Sequence, residues 1–184
     1  MPKLTLAACH HLPAELARFL ASFPEPPLDG GEISSDSKAA DWIASHRDLG
    51  FESPLTDSQR LLCQAGLWLL AGDLERSHQI SQRIESAEGS FWHGIMHRRE
   101  GDFSNAKYWF RRVGQHQAFT QLAAAIKASP IQVPEQWVAS QTFDPFAFVD
   151  ACQIAIRTGT DSAMFQQVQW LEWQCLFAAS CGRL

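Results

Sequence analysis

His93, His97 and Glu100 fall four and then three positions apart, which on a helix places all three side chains on one face. Two imidazoles at that spacing can share a metal ion, and a carboxylate one turn further on can add a third ligand. A metalloprotease helix needs a glutamate directly after its first histidine, and here Gly94 stands there. Four basic side chains close by oppose a divalent cation, so no metal site is expected. The same stretch carries the denser signal. Arg98, Arg99, Lys107, Arg111 and Arg112 are five of the 15 lysines and arginines of an otherwise acidic chain. Guanidinium groups gathered in this way can grip a carboxylate or phosphate through paired hydrogen bonds. Asn105, Tyr108 and His97 add neutral donors and acceptors, which makes these eight residues the candidate ligand-binding set. An alternative reading is catalytic, with a polar pocket around His93, His97, Glu100, Asn105 and Tyr108.

Other chemistry is poorly supplied. The chain has no GxSxG elbow and no glycine-rich phosphate loop, and Asp29-Gly30-Gly31 sits in a proline-rich stretch with no strand before it. No cofactor is expected. Glu172, between Trp170 and Trp173, has the setting of a semi-buried acid that pairs with an arginine or reaches solvent. Five cysteines make no CxxC pair and lie in apolar segments, which suits inert packing residues in a reducing compartment. With no apolar leader at its start, the chain is expected to be cytoplasmic. A net charge of −5 gives no general pull toward nucleic acid or anionic membranes, and no run of apolar residues is long enough to span a bilayer. The partner expected for the basic stretch is a protein, an acidic peptide or a small anion.

The elements that must position these residues all read as helices, with apolar residues at three- and four-residue spacing and no alternating pattern. Helices are predicted over 13–22, 38–48, 57–71, 74–86, 90–100, 103–113, 115–128, 145–158 and 161–180. Proline-marked connections fall at 23–37 and 129–145. Asp144 before Pro145 reads as a helix start, Thr56 with Gln59 as a capping box, and Gly72 and Gly101 as tight turns. The chain of 184 residues is expected to form one all-α domain. It comprises an N-terminal helix at 13–22, a loop at 23–37, helix hairpins over 38–128, a second loop at 129–144 and a C-terminal helix pair at 145–181. The last two helices are apolar around much of their girth and should be central to the core.

An internal repeat organises the middle of the chain. At an offset of 29 residues, Gly72-Asp73 aligns with Gly101-Asp102, Ala65 with Gly94, Leu74 with Phe103, Ser77 with Ala106, Arg83 with Arg112 and Ile84 with Val113. Over about residues 60–115 this pattern resembles the tetratricopeptide helix hairpin. In that hairpin a small residue admits the second helix, and a Gly-Asp-aromatic turn precedes another small residue and an aromatic. Gly94, Gly101, Asp102, Phe103, Ala106 and Phe110 take those places in the second copy. The chain departs from the pattern at Ser90, His93, His97 and Val113, lacks the closing proline, and repeats at 29 residues where the family uses 34. The resemblance implies antiparallel hairpins stacked in an irregular right-handed array closed by the two C-terminal helices, with Arg98 and Arg99 at groove-lining positions. The string HRREGDFSNAKYWFRR also resembles a block in uncharacterised bacterial and fungal proteins, which implies no activity. Folding the hairpin at Gly101 sets His97 beside Asn105 and Gly94 beside Tyr108. Phe103, Ala106, Phe110 and Val113 should form the buried stripe of the second helix.

Overall fold

The computed structural model describes residues 4–5, 9, 12–23, 26–29, 37–160 and 163–183. Among these it is all-α, with nine helices and no strand: α1 (Ala14–Leu20), α2 (Ser37–Ser45), α3 (Asp57–Leu70), α4 (Leu74–Ser81), α5 (Ala87–Glu100), α6 (Phe103–Val113), α7 (Gln117–Ala128), α8 (Pro145–Thr158) and α9 (Ala163–Ser180). One 3-10 turn, Glu135–Trp137, precedes α8. Residues 24–25 and 30–36 of the first predicted connection, and 161–162 of the last predicted helix, lie outside the described residues.

Local chemistry explains where the helices start and stop. The Thr56 hydroxyl accepts from the Gln59 amide while the Gln59 side chain accepts from Thr56, closing the predicted box ahead of α3. Asp144 accepts from the Phe146 and Ala147 amides, and Pro145 takes the first turn of α8. Asp102 caps α6 through the Asn105 amide, and Gly101 ends α5 at φ 90°, a left-handed conformation that a side chain would strain. Several boundaries differ from expectation, among them the helix predicted over 38–48, which ends at Ser45. The helix predicted over 74–86 stops at Ser81, and α5 starts earlier than residue 90 because Ser86 accepts from the Gly89 amide and caps it.

Helices α3 and α4 form one packed pair and α5 and α6 another, with α4 against α5 between them. The small residues allow close approach: a Cβ on Gly94 would stand 3.3 Å from the Phe110 ring, and one on Gly66 would stand 2.7 Å from Trp92. Helix α9 packs on α3, α5 and α7, so the first helix of each hairpin and the helix after them share one apolar partner. It is buried around its circumference, from Val168 through Ala178. This arrangement fixes which side of α5 faces inward, and it decides the fate of the basic stretch.

Candidate functional site

Helix α5 has no free face. Every residue from Gly89 to Arg99 is buried, because α4 and α6 flank it on one side and α3 and α9 on the other. Arg98 and Arg99, expected on a groove, are therefore interior. Arg98 is 0% exposed and lies over the Phe148 ring at 4.7 Å. Its two terminal nitrogens donate to both carboxylate oxygens of Glu172, at 3.1 and 2.5 Å, and one also donates to Gln169 Oε1. Burial works against the Arg98 charge, but the Glu172 carboxylate and its hydrogen bonds outweigh it and raise the pKa above the usual value. Arg99 donates to the carbonyl of Leu69 in the last turn of α3, where the helix dipole favours a cation. Burial, and then its neighbour Arg98, bring the Arg99 pKa down to about 10, with Asp29 pulling the other way.

The remaining cations are dispersed as well. Lys107 pairs with Asp150 of α8. Arg112 lies over the Trp109 ring at 5.3 Å, and Arg111 is exposed. Tyr108, expected beside Gly94, is 48% exposed on the outside of α6. Phe110 takes the place at Gly94, as the stripe of Ala106, Phe110 and Val113 requires. The five cations therefore do not converge on one concavity.

The hairpin instead gathers histidines. His97 meets Asn105 across the Gly101 turn, with the Asn105 amide 3.0 Å from His97 Nε2, and His97 Nδ1 lies 2.5 Å from Glu100 Oε1. One turn earlier His93 stacks on Trp109 at 3.9 Å and on His97 at 4.7 Å. His78 of α4 closes the group edge-on, 4.7 Å from His93 and 5.4 Å from His97. His93 is 2% exposed and neither of its ring nitrogens has a hydrogen-bond partner. The sequence reading missed His78, because at the 29-residue offset it aligns with Lys107, a rim position of the second copy. Glu100 stays with the cluster, whereas Tyr108 does not. The pocket that a catalytic reading requires of His93, His97, Glu100, Asn105 and Tyr108 is not assembled.

Burial pushes the His93 pKa down from 6.5 to about 3, and the like charges that His97 and His78 would carry push in the same direction. A base whose folded pKa lies below its unfolded value costs stability as it takes up a proton. The contribution is therefore intact above about pH 7 and falls away as pH drops from 6.5 toward 3. We expect the melting temperature in a chelating buffer to decline across that range, and the decline to be shallower in His93→Phe. Parallel pH profiles for the two proteins would contradict this.

A second feature lies at the far end of α6. A half-open groove of about 470 Å³ is bounded by the turn from α6 into α7 (Gly114, Gln115, His116, Gln117) and by Phe143, Pro145 and Phe146 at the start of α8. Its floor is aromatic, from Phe110, Phe119 and Phe143, and its rim carries exposed Gln115, Gln117, Thr120 and Thr142. The Phe143 amide donates to the Phe119 carbonyl at 3.0 Å and pins the loop to α7. Lys107 opposite Asp150, and Gly114 in one lining with Pro145 and Phe146, run α6 antiparallel to α8. Arg111, one turn beyond Lys107, thus falls on the flank nearest the groove. Nothing in the sequence reading marked this site. Its rings read as core, and its rim residues are ordinary loop amides and hydroxyls.

Compared with known protein families, with curated proteins and with solved structures, the chain matches none. The site must be read from its own chemistry. All five cysteines are buried, and burial pushes the Cys9 and Cys152 thiols up to about 12 and raises Cys175 further. No helix among the described residues is long and apolar enough to cross a membrane.

Proposed function

We propose that this chain is a non-catalytic binding protein of tetratricopeptide-like build, working in a reducing, cytoplasmic setting, that holds a short acidic peptide in the groove between the α6–α7 turn and the first turn of α8. The observation that carries the reading is the groove itself, with an aromatic floor and a rim of amides and hydroxyls. An apolar side chain suits such a floor, and side-chain amides on a rim can pair with the backbone of an extended peptide. An open groove favours a peptide over a small enclosed substrate. The sign of the charge follows from its surroundings. Helix α7 begins at the groove with the positive end of its dipole, whereas the start of α8 is already met by the Asp144 carboxylate; Arg111 follows Lys107 by one turn on the side of α6 that faces α8. Of the basic residues singled out in the sequence none lines the groove, and Arg111 is the one we assign to an acidic ligand reaching past its rim. Arg98 and Arg99 serve the fold, and Lys107, Tyr108 and Arg112 lie outside the groove.

The test uses two panels of capped hexapeptides with a central leucine or phenylalanine, flanked by glutamates in one and lysines in the other. Isothermal titration should find binding for the acidic panel, weakened in Arg111→Glu and lost in Phe146→Glu. Equal binding of the two panels, or binding that survives Phe146→Glu, would refute the reading.

A further inference from the structure

From the cluster on α4 and α5 we infer a site for one zinc-class divalent transition-metal ion, ligated by His78, His93 and His97. Each ring offers one nitrogen, and the three lie within 4.8 Å of one another. A tetrahedral ion with Zn–N bonds of about 2.0–2.1 Å holds its nitrogens roughly 3.4 Å apart, so the rings must draw in and His97 must turn out of its stack on His93 for both lone pairs to meet the ion.

Three further observations make this a built site and not a chance meeting of histidines. His93 is 2% exposed with both ring nitrogens unpartnered, a state that a neutral buried imidazole reaches only at a cost and that a metal ion relieves at one nitrogen. Its plane is held by the Trp109 ring on α6, a contact that the ion would leave in place. His97 already has the outer partner that metal-bound histidines use. The Glu100 carboxylate at Nδ1 sets the tautomer with the proton on that atom and leaves Nε2 as the lone-pair donor. Asn105, now 3.0 Å from Nε2, lies where a small movement of its amide clears the ion, and a water or its own oxygen can fill the fourth position.

The geometry lessens the charge objection raised by the sequence. Arg98 is committed to Glu172, Arg99 to the Leu69 carbonyl, Lys107 to Asp150 and Arg112 to the Trp109 ring. The charged side chain that does bond to the cluster is an acid, Glu100. Three imidazoles select a borderline ion such as Zn²⁺ over Mg²⁺ or Ca²⁺, which take oxygen ligands.

The experiment uses the untagged full chain, stripped with a chelator and titrated with Co²⁺ as a spectroscopic probe and then with Zn²⁺ in competition. We expect one equivalent to bind with the visible d–d absorption of a four- or five-coordinate site, and Zn²⁺ to displace it. Affinity should fall by about 100-fold in His78→Ala and in His93→Phe, and by about 10- to 100-fold in Glu100→Gln. A control lacking His10 and His11 should bind as the wild type does. If the buried His93 variant does not fold, the half-buried His78 position and an X-ray absorption count of imidazoles on the wild-type zinc complex still decide the matter. Absence of saturable binding at millimolar Co²⁺, fewer than three imidazoles at the ion, or unchanged affinity in His78→Ala would each overturn the site. Peptide binding at the α6–α8 groove would be untouched by any of these results.

Discussion

Replacing Arg98 with methionine should destabilise the protein by about 3–5 kcal/mol, because it strands the Glu172 carboxylate in the core. Both partners are inaccessible, with side-chain exposures of 0% and 1%. Inside the protein a carboxylate loses its hydration, and here the guanidinium supplies both of its replacements in a two-pronged contact. The loss reaches further, since Gln169, which also accepts from Arg98, donates to the Pro27 carbonyl and so ties α9 to the N-terminal segment. Removing both charges is a different matter. In Arg98→Met/Glu172→Leu no ion is left without a partner, so much of the stability should return. Chemical denaturation of the two single variants and the double variant gives the coupling directly. Additive losses would mean that the pair is not the unit described here.

That ion pair also marks the limit of what the sequence could say. Helices α6 and α8 were legible to the residue, since each has its own cap: Asp102 and Asp144 at the starts, glycines beyond the ends. The fold-back at Gly101 correctly joined His97 to Asn105, since both flank a turn whose geometry a glycine fixes locally. The burial of α5 was not legible. A helix carrying two histidines, two arginines and a glutamate in its last eight residues reads as a solvated face, and its charges are met from far along the chain. Glu172 lies 74 residues from Arg98, and the Leu69 carbonyl 30 residues from Arg99. The tetratricopeptide resemblance pointed Arg98 and Arg99 toward a shared inner face of the hairpins. In the structure α9 of the same chain packs on α3 and α5, so Arg98 and Arg99 are core. His78 escaped notice for a related reason. Its partners are on the next hairpin, and sequence spacing within one helix cannot report a contact between two.

Trp173→Ala tests whether α9 is the wedge that this packing implies. The indole is 2% exposed and stacks on Phe177 at 4.6 Å and on Trp170 at 5.3 Å, with Trp92 of α5 at 6.1 Å. Its Nε1 donates to the Gly66 carbonyl on α3 at 2.8 Å. One side chain thus holds three elements together, and α3 and α5 approach so closely through Gly66 and Trp92 that they have little freedom to close on a void. A cavity that cannot collapse lies at the costly end of large-to-small changes, so we expect a loss of about 3–5 kcal/mol. At roughly 2–4 °C per kcal/mol for a chain of this size, the melting temperature should fall by about 6–20 °C. Trp173→Phe separates the two contributions. It keeps most of the ring stack and gives up the hydrogen bond, and the Gly66 carbonyl remains inside a helix, so the cost should be nearer 1 kcal/mol. An unchanged melting temperature in Trp173→Ala would remove α9 from the centre of the fold, and with it the reason Arg98 and Arg99 are buried.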